Sequence, residues 1–200
     1  MKWRFIQKRV IIFIKKDEIN EVEKNFGTFD YSTASVIAED NQKLSSVLFV
    51  TKSSTIQRLI ILESSDKEKI VKQLFVSQLS DNDGQEIKSV ENIKNGVVKL
   101  FSLNSGIVHQ KAFSSGEEKY SELENGLKVK DYEINVLDEK GNIIRTATES
   151  ERMSWGGKYK TCINNQISKW GVFEWGSCII ASEVCLPGLL GGCAVYATFF

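Results

Sequence analysis

The sequence is poor in several residue types on which folds and catalytic sites often depend. Its 200 residues include one proline and one histidine, and positive and negative side chains balance at 26 each. Because the net charge is zero, no global attraction draws the chain to nucleic acid, and we expect no nucleic-acid partner. A chain of this length with 42% apolar residues can still bury a sizeable core.

Common catalytic motifs are also missing. The sequence holds no Gly-rich phosphate loop, no HExxH zinc helix and no serine nucleophile elbow. The single histidine, His109, lies in a predicted strand, and the acid pair Glu117 and Glu118 lies in a predicted polar loop. We therefore predict that the protein is not an enzyme and needs no cofactor or metal. An enzymatic alternative would pair His109 with a reactive cysteine.

The rare residues concentrate near the C-terminal end. All four cysteines and the single proline lie in the last 39 residues, and half of the 14 glycines lie between residues 156 and 192. From residue 158 onward there are three lysines and two glutamates, a net charge of +1, which leaves −1 for the first 157 residues. The sequence thus predicts a polar N-terminal region at 1–150, a linker at 151–157 and an apolar tail at 158–200.

The N-terminal region is predicted to be α+β, mainly an antiparallel sheet with one or two helices. Apolar runs separated by polar turns favour strands at 47–50, 56–62, 97–103, 107–113, 127–137 and 143–148. Helical spacing of apolar residues favours a helix at 17–26. Ser65 and Glu68 have the spacing of a capping box and predict a second helix, whose apolar face extends to Leu79.

The first sixteen residues carry six basic side chains and no acid around an apolar run at 10–14. A secretory signal needs about 7–15 apolar residues after its basic start. Because this run is shorter, a β-strand with a basic flank is the preferred interpretation, and a signal peptide is the alternative.

The cysteines are predicted to pair as two disulfides. They stand too far apart for the close CxxC pairs of a zinc site, although a zinc site and free thiols stay as alternatives. Four cysteines allow three pairings, and the sequence does not choose between them. Disulfides would stabilise a peptide this small and would favour export from the reducing cytosol. The residues concerned are Cys162, Cys178, Cys185 and Cys193.

The tail has the composition of a membrane-active peptide. Residues 176–200 contain one charged residue, Glu183, and Pro187 with its neighbouring glycines favours two short helical arms over one straight span. Tryptophans that favour a membrane interface follow a cationic start. The alternative is the buried C-terminal hairpin of an ordinary domain. The side chains predicted to contact a membrane are Lys158, Lys160, Lys169, Trp170 and Trp175.

The tail KYKTCINNQISKWGVFEWGSCIIASEVCLPGLLGGCAVYATFF, after a polar region, resembles the C-terminal toxin part of halocin-like bacteriocin precursors. The resemblance covers about 45 of the 200 residues and rests on composition and cysteine placement. It implies an exported precursor that is cleaved to release an antimicrobial peptide, with an N-terminal part that confers immunity on the producer. The implied partners are a maturation protease or exporter and the target cell membrane.

Gly156 and Gly157 fit such processing. Peptidases that mature bacteriocins often cut after a Gly-Gly pair, and a cut here would release residues 158–200; a flexible joint is the alternative. The sequence therefore predicts a secreted, bacteriocin-like precursor whose disulfide-linked, helical or hairpin tail permeabilises target membranes. The alternative is a membrane-anchored binding or structural protein whose tail stays attached.

Overall fold

A computed structural model of the chain describes residues 15–39, 42–65, 67–114, 117–123, 126–180 and 185–199. The predicted strand or signal at 10–14 lies outside these residues. Within them the fold is α+β, with an antiparallel sheet of nine strands and four α-helices, as the sequence predicts. Three of those helices lie in the C-terminal part of the chain and carry two disulfides.

Seven strands pair in chain order as an antiparallel meander, after helix α1 (Lys16–Phe26). They are β1 (Phe29–Glu39), β2 (Gln42–Phe49), β3 (Thr55–Ser65), β4 (Lys69–Asp81), β5 (Asn95–Ser102), β6 (Ile107–Ser114) and β7 (Glu117–Leu123). A 3₁₀ turn (Val90–Asn92) precedes β5. The remaining elements are β8 (Glu133–Leu137), β9 (Ile143–Thr146), α2 (Glu149–Ile167), α3 (Val172–Ile180) and α4 (Cys185–Phe199).

Strand β4 pairs with two different strands along one edge. Residues 75–81 pair with β5, and residues 69–72 pair with β8. Between them the buried side chain of Asn104 takes the place of a strand, because its Oδ1 accepts a hydrogen bond from the Leu74 backbone N–H at 2.6 Å. Its Nδ2 donates to the Asp131 carbonyl at 3.2 Å. The predicted turn at 104–106 is confirmed, and Gly106 adopts a φ of +71°, which favours glycine.

The central strands are buried on both faces. On β3, Leu59 and Ile61 belong to a core that also contains Val22 of α1. Ile60 and Leu62 belong to a second core, on the opposite face, that contains the C-terminal helices. Because successive side chains of a strand point to opposite faces, a sheet with this sequence needs cover on both sides.

The predicted helix from Ser65 to Leu79 is wrong, since Ser65 ends β3 and residues 69–81 form β4. On β4, Leu74 and Val76 enter the core with α1, whereas Phe75 and Leu79 enter the core with the C-terminal helices. A strand buried on both faces is apolar almost continuously, so its residues also match helical spacing.

Three other strands differ from the prediction. The strand expected at 127–137 begins only at Glu133, and the chain before it has no regular secondary structure from residue 126. The loop expected around Glu117 and Glu118 is part of β7, which pairs with β6. Strand β1 had no predicted counterpart, because polar residues interrupt its apolar positions.

The predicted linker at 151–157 lies inside α2, so these residues are helical. Thr148 caps the helix: its Oγ1 accepts from the Glu151 N–H at 3.3 Å, and the Glu151 carboxylate accepts from the Thr148 N–H at 2.7 Å. The Arg145 guanidinium binds the same carboxylate through two hydrogen bonds of 2.8 Å. Arg145 and Thr148 hold the pKa of Glu151 well below its ordinary value. The C-terminal helical region therefore begins near residue 148.

Alanine substitutions in β4 test its burial on both faces. Val71 and Val76 are 2% and 0% exposed and enter opposite cores. We expect Val71→Ala and Val76→Ala each to lower the free energy of unfolding by about 2 kcal/mol, because each removes buried methyl groups. The matched control Val50→Ala, at a position 66% exposed, changes it by less than about 0.5 kcal/mol. Urea unfolding measures all three, and a small effect at either buried valine would contradict the two-faced strand.

Candidate functional site

The C-terminal helices α2, α3 and α4, called here the tail helices, pack on one face of the sheet. We call α1, the nine strands and the described loops between them the sheet body. Helix α2 contributes a stripe of buried side chains at four-residue intervals, which places them on one face of the helix. These residues are Trp155, Tyr159, Ile163 and Ile167, all less than 5% exposed.

Helices α3 and α4 complete this cover. Helix α3 lies against β4, β5, β6 and the 3₁₀ turn, and α4 lies against β2 and β3. The Trp175 side chain of α3 is fully buried, and a Cβ at Gly176 would lie 2.9 Å from Val90, so glycine allows α3 to approach the 3₁₀ turn closely. The other buried apolar residues of these helices are Val172, Cys178, Ile179, Leu186, Leu189, Leu190, Cys193, Ala194 and Ala197.

Aromatic rings join the body to the tail helices. Trp155 and Tyr159 stack with their centroids 4.9 Å apart. Tyr132 of the body meets Trp155 edge-on at 5.1 Å, and Phe75 of β4 lies 6.4 Å from Tyr159. The Trp155 Nε1–H donates to Thr198 Oγ1 at 3.1 Å, which ties α2 to α4. Such ring pairs stabilise a contact beyond the area that they bury.

Both disulfides lie within the tail helices. Cys162–Cys193 joins α2 to α4, and Cys178–Cys185 joins α3 to α4. The predicted pairing of the cysteines is confirmed, and one of the three connectivities is now assigned. Since no free cysteine remains, the alternatives of a zinc site and a reactive thiol near His109 lack their ligand or nucleophile. Apart from the main chain before α2, the tail helices are held on the body by non-covalent contacts alone.

Two charged side chains of β6 and β7, called here the hairpin clamp, hold the turn between α2 and α3. The buried Lys111 donates from Nζ to the Trp170 carbonyl and lies 3.3 Å from Glu118 Oε2. Glu118 Oε1 accepts from the Val172 N–H at 3.0 Å, at the start of α3, where a carboxylate is favourable. The clamp adds charged hydrogen bonds at one end of a mostly apolar contact.

The same interface encloses polar groups that lack regular hydrogen bonds. Among the residues that the structure describes, Ser77 Oγ and Trp175 Nε1 have no hydrogen-bond partner. The Gln73 amide and the Tyr159 hydroxyl are buried near each other without a hydrogen bond of regular geometry. Burial raises the pKa of Tyr159 well above its ordinary value. Each buried polar group left unsatisfied costs about 1–3 kcal/mol, so the interface is weaker than its apolar area implies.

The residues predicted to contact a membrane divide between surface and core. Lys158 and Lys169 are exposed, and Lys160 is half-buried. Trp170 is half-buried and packs against the core, whereas Trp175 is fully buried. In the full chain, therefore, Lys158 and Lys169 face solvent, whereas the Trp175 side chain faces the sheet.

Gly156 and Gly157 lie in the middle of α2, so the joint predicted there is helical. A Cβ at Gly156 would lie 2.9 Å from the Tyr132 ring, which gives this glycine a packing role. Gly157 has open space around it. The two predicted helical arms correspond to α3 and α4. Pro187 lies in the first turn of α4, where proline is tolerated, and not between the arms.

Comparison with protein-family models, with curated proteins and with solved structures finds no significant match for this chain. None of the helices that the structure describes is both long enough and apolar enough to cross a membrane. In the same described ranges, no group of three or more histidine, cysteine or acidic side chains could hold a metal ion.

Replacement of Gln73 tests whether the buried polar groups weaken the interface. We expect Gln73→Met to raise the free energy of unfolding by about 1–2 kcal/mol, because the fully buried amide is removed with little change of volume. The matched control Gln57→Met should lower it, because Gln57 Nε2 donates to the Phe26 carbonyl at 3.0 Å. Denaturant unfolding measures the change in the free energy of unfolding for both variants. A destabilised Gln73→Met would contradict the interpretation.

Replacement of Lys111 tests the hairpin clamp. We expect Lys111→Met to lower the free energy of unfolding by about 1–3 kcal/mol, because the buried Trp170 carbonyl and Glu118 lose their charged partner. Lys88→Met is the control, since Lys88 pairs with Glu86 at 3.3 Å with both side chains largely exposed, and we expect less than about 0.5 kcal/mol there. Equal effects in thermal unfolding would mean that the clamp does not hold the tail helices.

Proposed function

We propose that the protein is a bacteriocin-like precursor whose sheet body holds an antimicrobial tail until cleavage releases it to permeabilise target membranes. The observation that carries this proposal is that the covalent cross-links lie within the tail helices, whereas the contact with the body is non-covalent. Both disulfides link one tail helix to another, and the tail helices contact the body non-covalently. One cut in the main chain before α2 would therefore separate a cross-linked three-helix unit from its carrier.

The packing supports a masked state in the uncut chain. Trp155, Tyr159 and Trp175 are the large side chains that would insert into a membrane interface, and all three are buried in the core that the sheet and the tail helices share. Full burial of a large apolar side chain is worth about 1.5–3 kcal/mol. Burial therefore stabilises the uncut protein and keeps these side chains out of contact with lipid.

After release, the lipid interface replaces the sheet as the apolar surface that covers the tail helices. Once separated, the stripe of α2 and the apolar face of α3 have to leave water, and a lipid interface accepts them, with tryptophans favoured at that depth. The exposed Lys158 and Lys169 add attraction to anionic lipid, about 1 kcal/mol for each lysine near the surface. The cross-linked helices then adsorb through their lysines and insert through their apolar face.

The same contact gives the body a way to neutralise the peptide. The contact between the body and the tail helices is non-covalent, so it can form again after cleavage. A separated body can therefore bind a released tail on the sheet face that the tail covered before. The disulfides fit an oxidising, extracellular location. Secretion, release by a maturation protease, and immunity through the body are all parts of this proposal.

The proposal is tested by the leakage of dye from liposomes that contain anionic lipid. A synthetic, oxidised peptide of residues 148–200 should cause leakage at micromolar concentration and inhibit the growth of related bacteria. The uncut chain at the same concentration should do neither, because its apolar face is buried.

Trp175→Lys in the peptide is the matched variant, and we expect it to lose most of the leakage while keeping both disulfides. No leakage and no inhibition by the unmodified peptide would reject the proposal. Recovery of only the full-length protein from the membrane pellet of the producing cells would favour the anchored alternative.

A further inference from the structure

The last part of the sheet body, directly before α2, is unusually open. Residues 139–146 form the longest run of exposed residues in the described parts of the chain. It includes Ile143 and Ile144, which are 58% and 62% exposed although they are large and apolar. Two neighbouring isoleucines in water, directly before the cross-linked tail helices, point to a segment that another molecule binds.

The geometry of β9 identifies the kind of molecule. Strand β9 is extended and pairs with β8 along one edge, while its other edge pairs with none of the described strands. Its pairing with β8 is short and irregular between Val136 and Leu137. An extended segment with a free edge can be bound by the addition of a strand, the mode in which main-chain hydrogen bonds give affinity and side-chain pockets give specificity.

We propose that the maturation cut falls at one of the peptide bonds from 143–144 to 147–148, made by an endopeptidase that binds β9 as an added strand and takes the two isoleucines in apolar pockets. This inference rests on the proposed function and names its processing site. The reaction is hydrolysis, in which one water is consumed and one peptide C–N bond breaks. The hydroxyl goes to the carbonyl carbon and the hydrogen to the nitrogen, so that the body gains a carboxylate and the tail an amine.

The position of the cut preserves the structure of the tail helices. Thr148 and Glu151, which cap α2, stay with the released part. A cut after Gly157 would instead divide α2. It would leave Trp155 on the body and separate it from Tyr159, on which it stacks, and from Thr198, to which it donates a hydrogen bond. That cut also requires helical backbone to unwind before a peptidase can bind it, whereas β9 is already extended.

Limited proteolysis of the purified, oxidised, full-length chain tests the inference. The probe is subtilisin at low ratio, which cuts accessible extended segments with broad specificity, and the readout is the intact mass under non-reducing conditions. We expect the first C-terminal fragment to begin between residues 144 and 148 and to keep both disulfides. A first C-terminal fragment that begins at Lys158, or anywhere else, would overturn the inference.

A pair of variants adds a quantitative test. The double change Ile143→Asp and Ile144→Asp should slow the cut by about 10-fold or more, because apolar pockets discriminate strongly against a lost apolar side chain. Met153→Asp on α2 is the control, since Met153 is 72% exposed and lies outside the segment, and its rate should match the parent. Equal rates for all three proteins would overturn the role of the isoleucines, and circular dichroism checks that each is folded.

The leakage assay keeps this inference separate from the proposed function. A fragment that begins within 144–148 but leaves liposomes intact would reject the antimicrobial function and support β9 as the accessible cut site. A peptide of residues 158–200, recovered as the natural product and active on liposomes, would support the function and overturn the site.

Discussion

The structure depends on the burial of one apolar face of the tail helices against one apolar face of the sheet. Strands β3 and β4 carry apolar side chains on both sides, so a body without its tail would expose Phe75 and Leu79 to water. The tail helices without the body would expose Tyr159 and Trp175 in the same way. Because the hydrophobic effect has no directional requirement, each part serves as the cover of the other.

The contact between the sheet and the tail helices is non-covalent and can separate, whereas the disulfides are covalent. Cys162–Cys193 and Cys178–Cys185 join the tail helices to one another, and neither joins them to the body. The contact with the sheet, in contrast, contains buried polar groups such as Ser77 and Gln73 that weaken it. A rigid unit on a separable surface is the arrangement that the proposed precursor needs, since the peptide must leave without losing its structure.

Local patterns in the sequence predicted the antiparallel sheet, α1, the turn between the apolar runs 97–103 and 107–113, and two disulfides, although not their connectivity. They failed at β4, because burial on both faces removes the alternation that marks a strand. They also placed a linker at 151–157, although Thr148 and Glu151 form a capping box that marks the start of α2. The sequence left the tail open between a membrane-active peptide and a buried hairpin, since apolar composition is the same for both, and in the full chain Trp175 is fully buried.

The most direct test of the account is flotation of the cleaved precursor with lipid vesicles. Full-length protein is cut once before α2, kept oxidised, and centrifuged with or without vesicles of phosphatidylcholine and phosphatidylglycerol. The account predicts that both fragments stay together in the absence of vesicles, and that the tail fragment alone floats with the lipid when vesicles are added. A tail fragment that stays with the body in the presence of vesicles would contradict the claim that the sheet is a releasable cover.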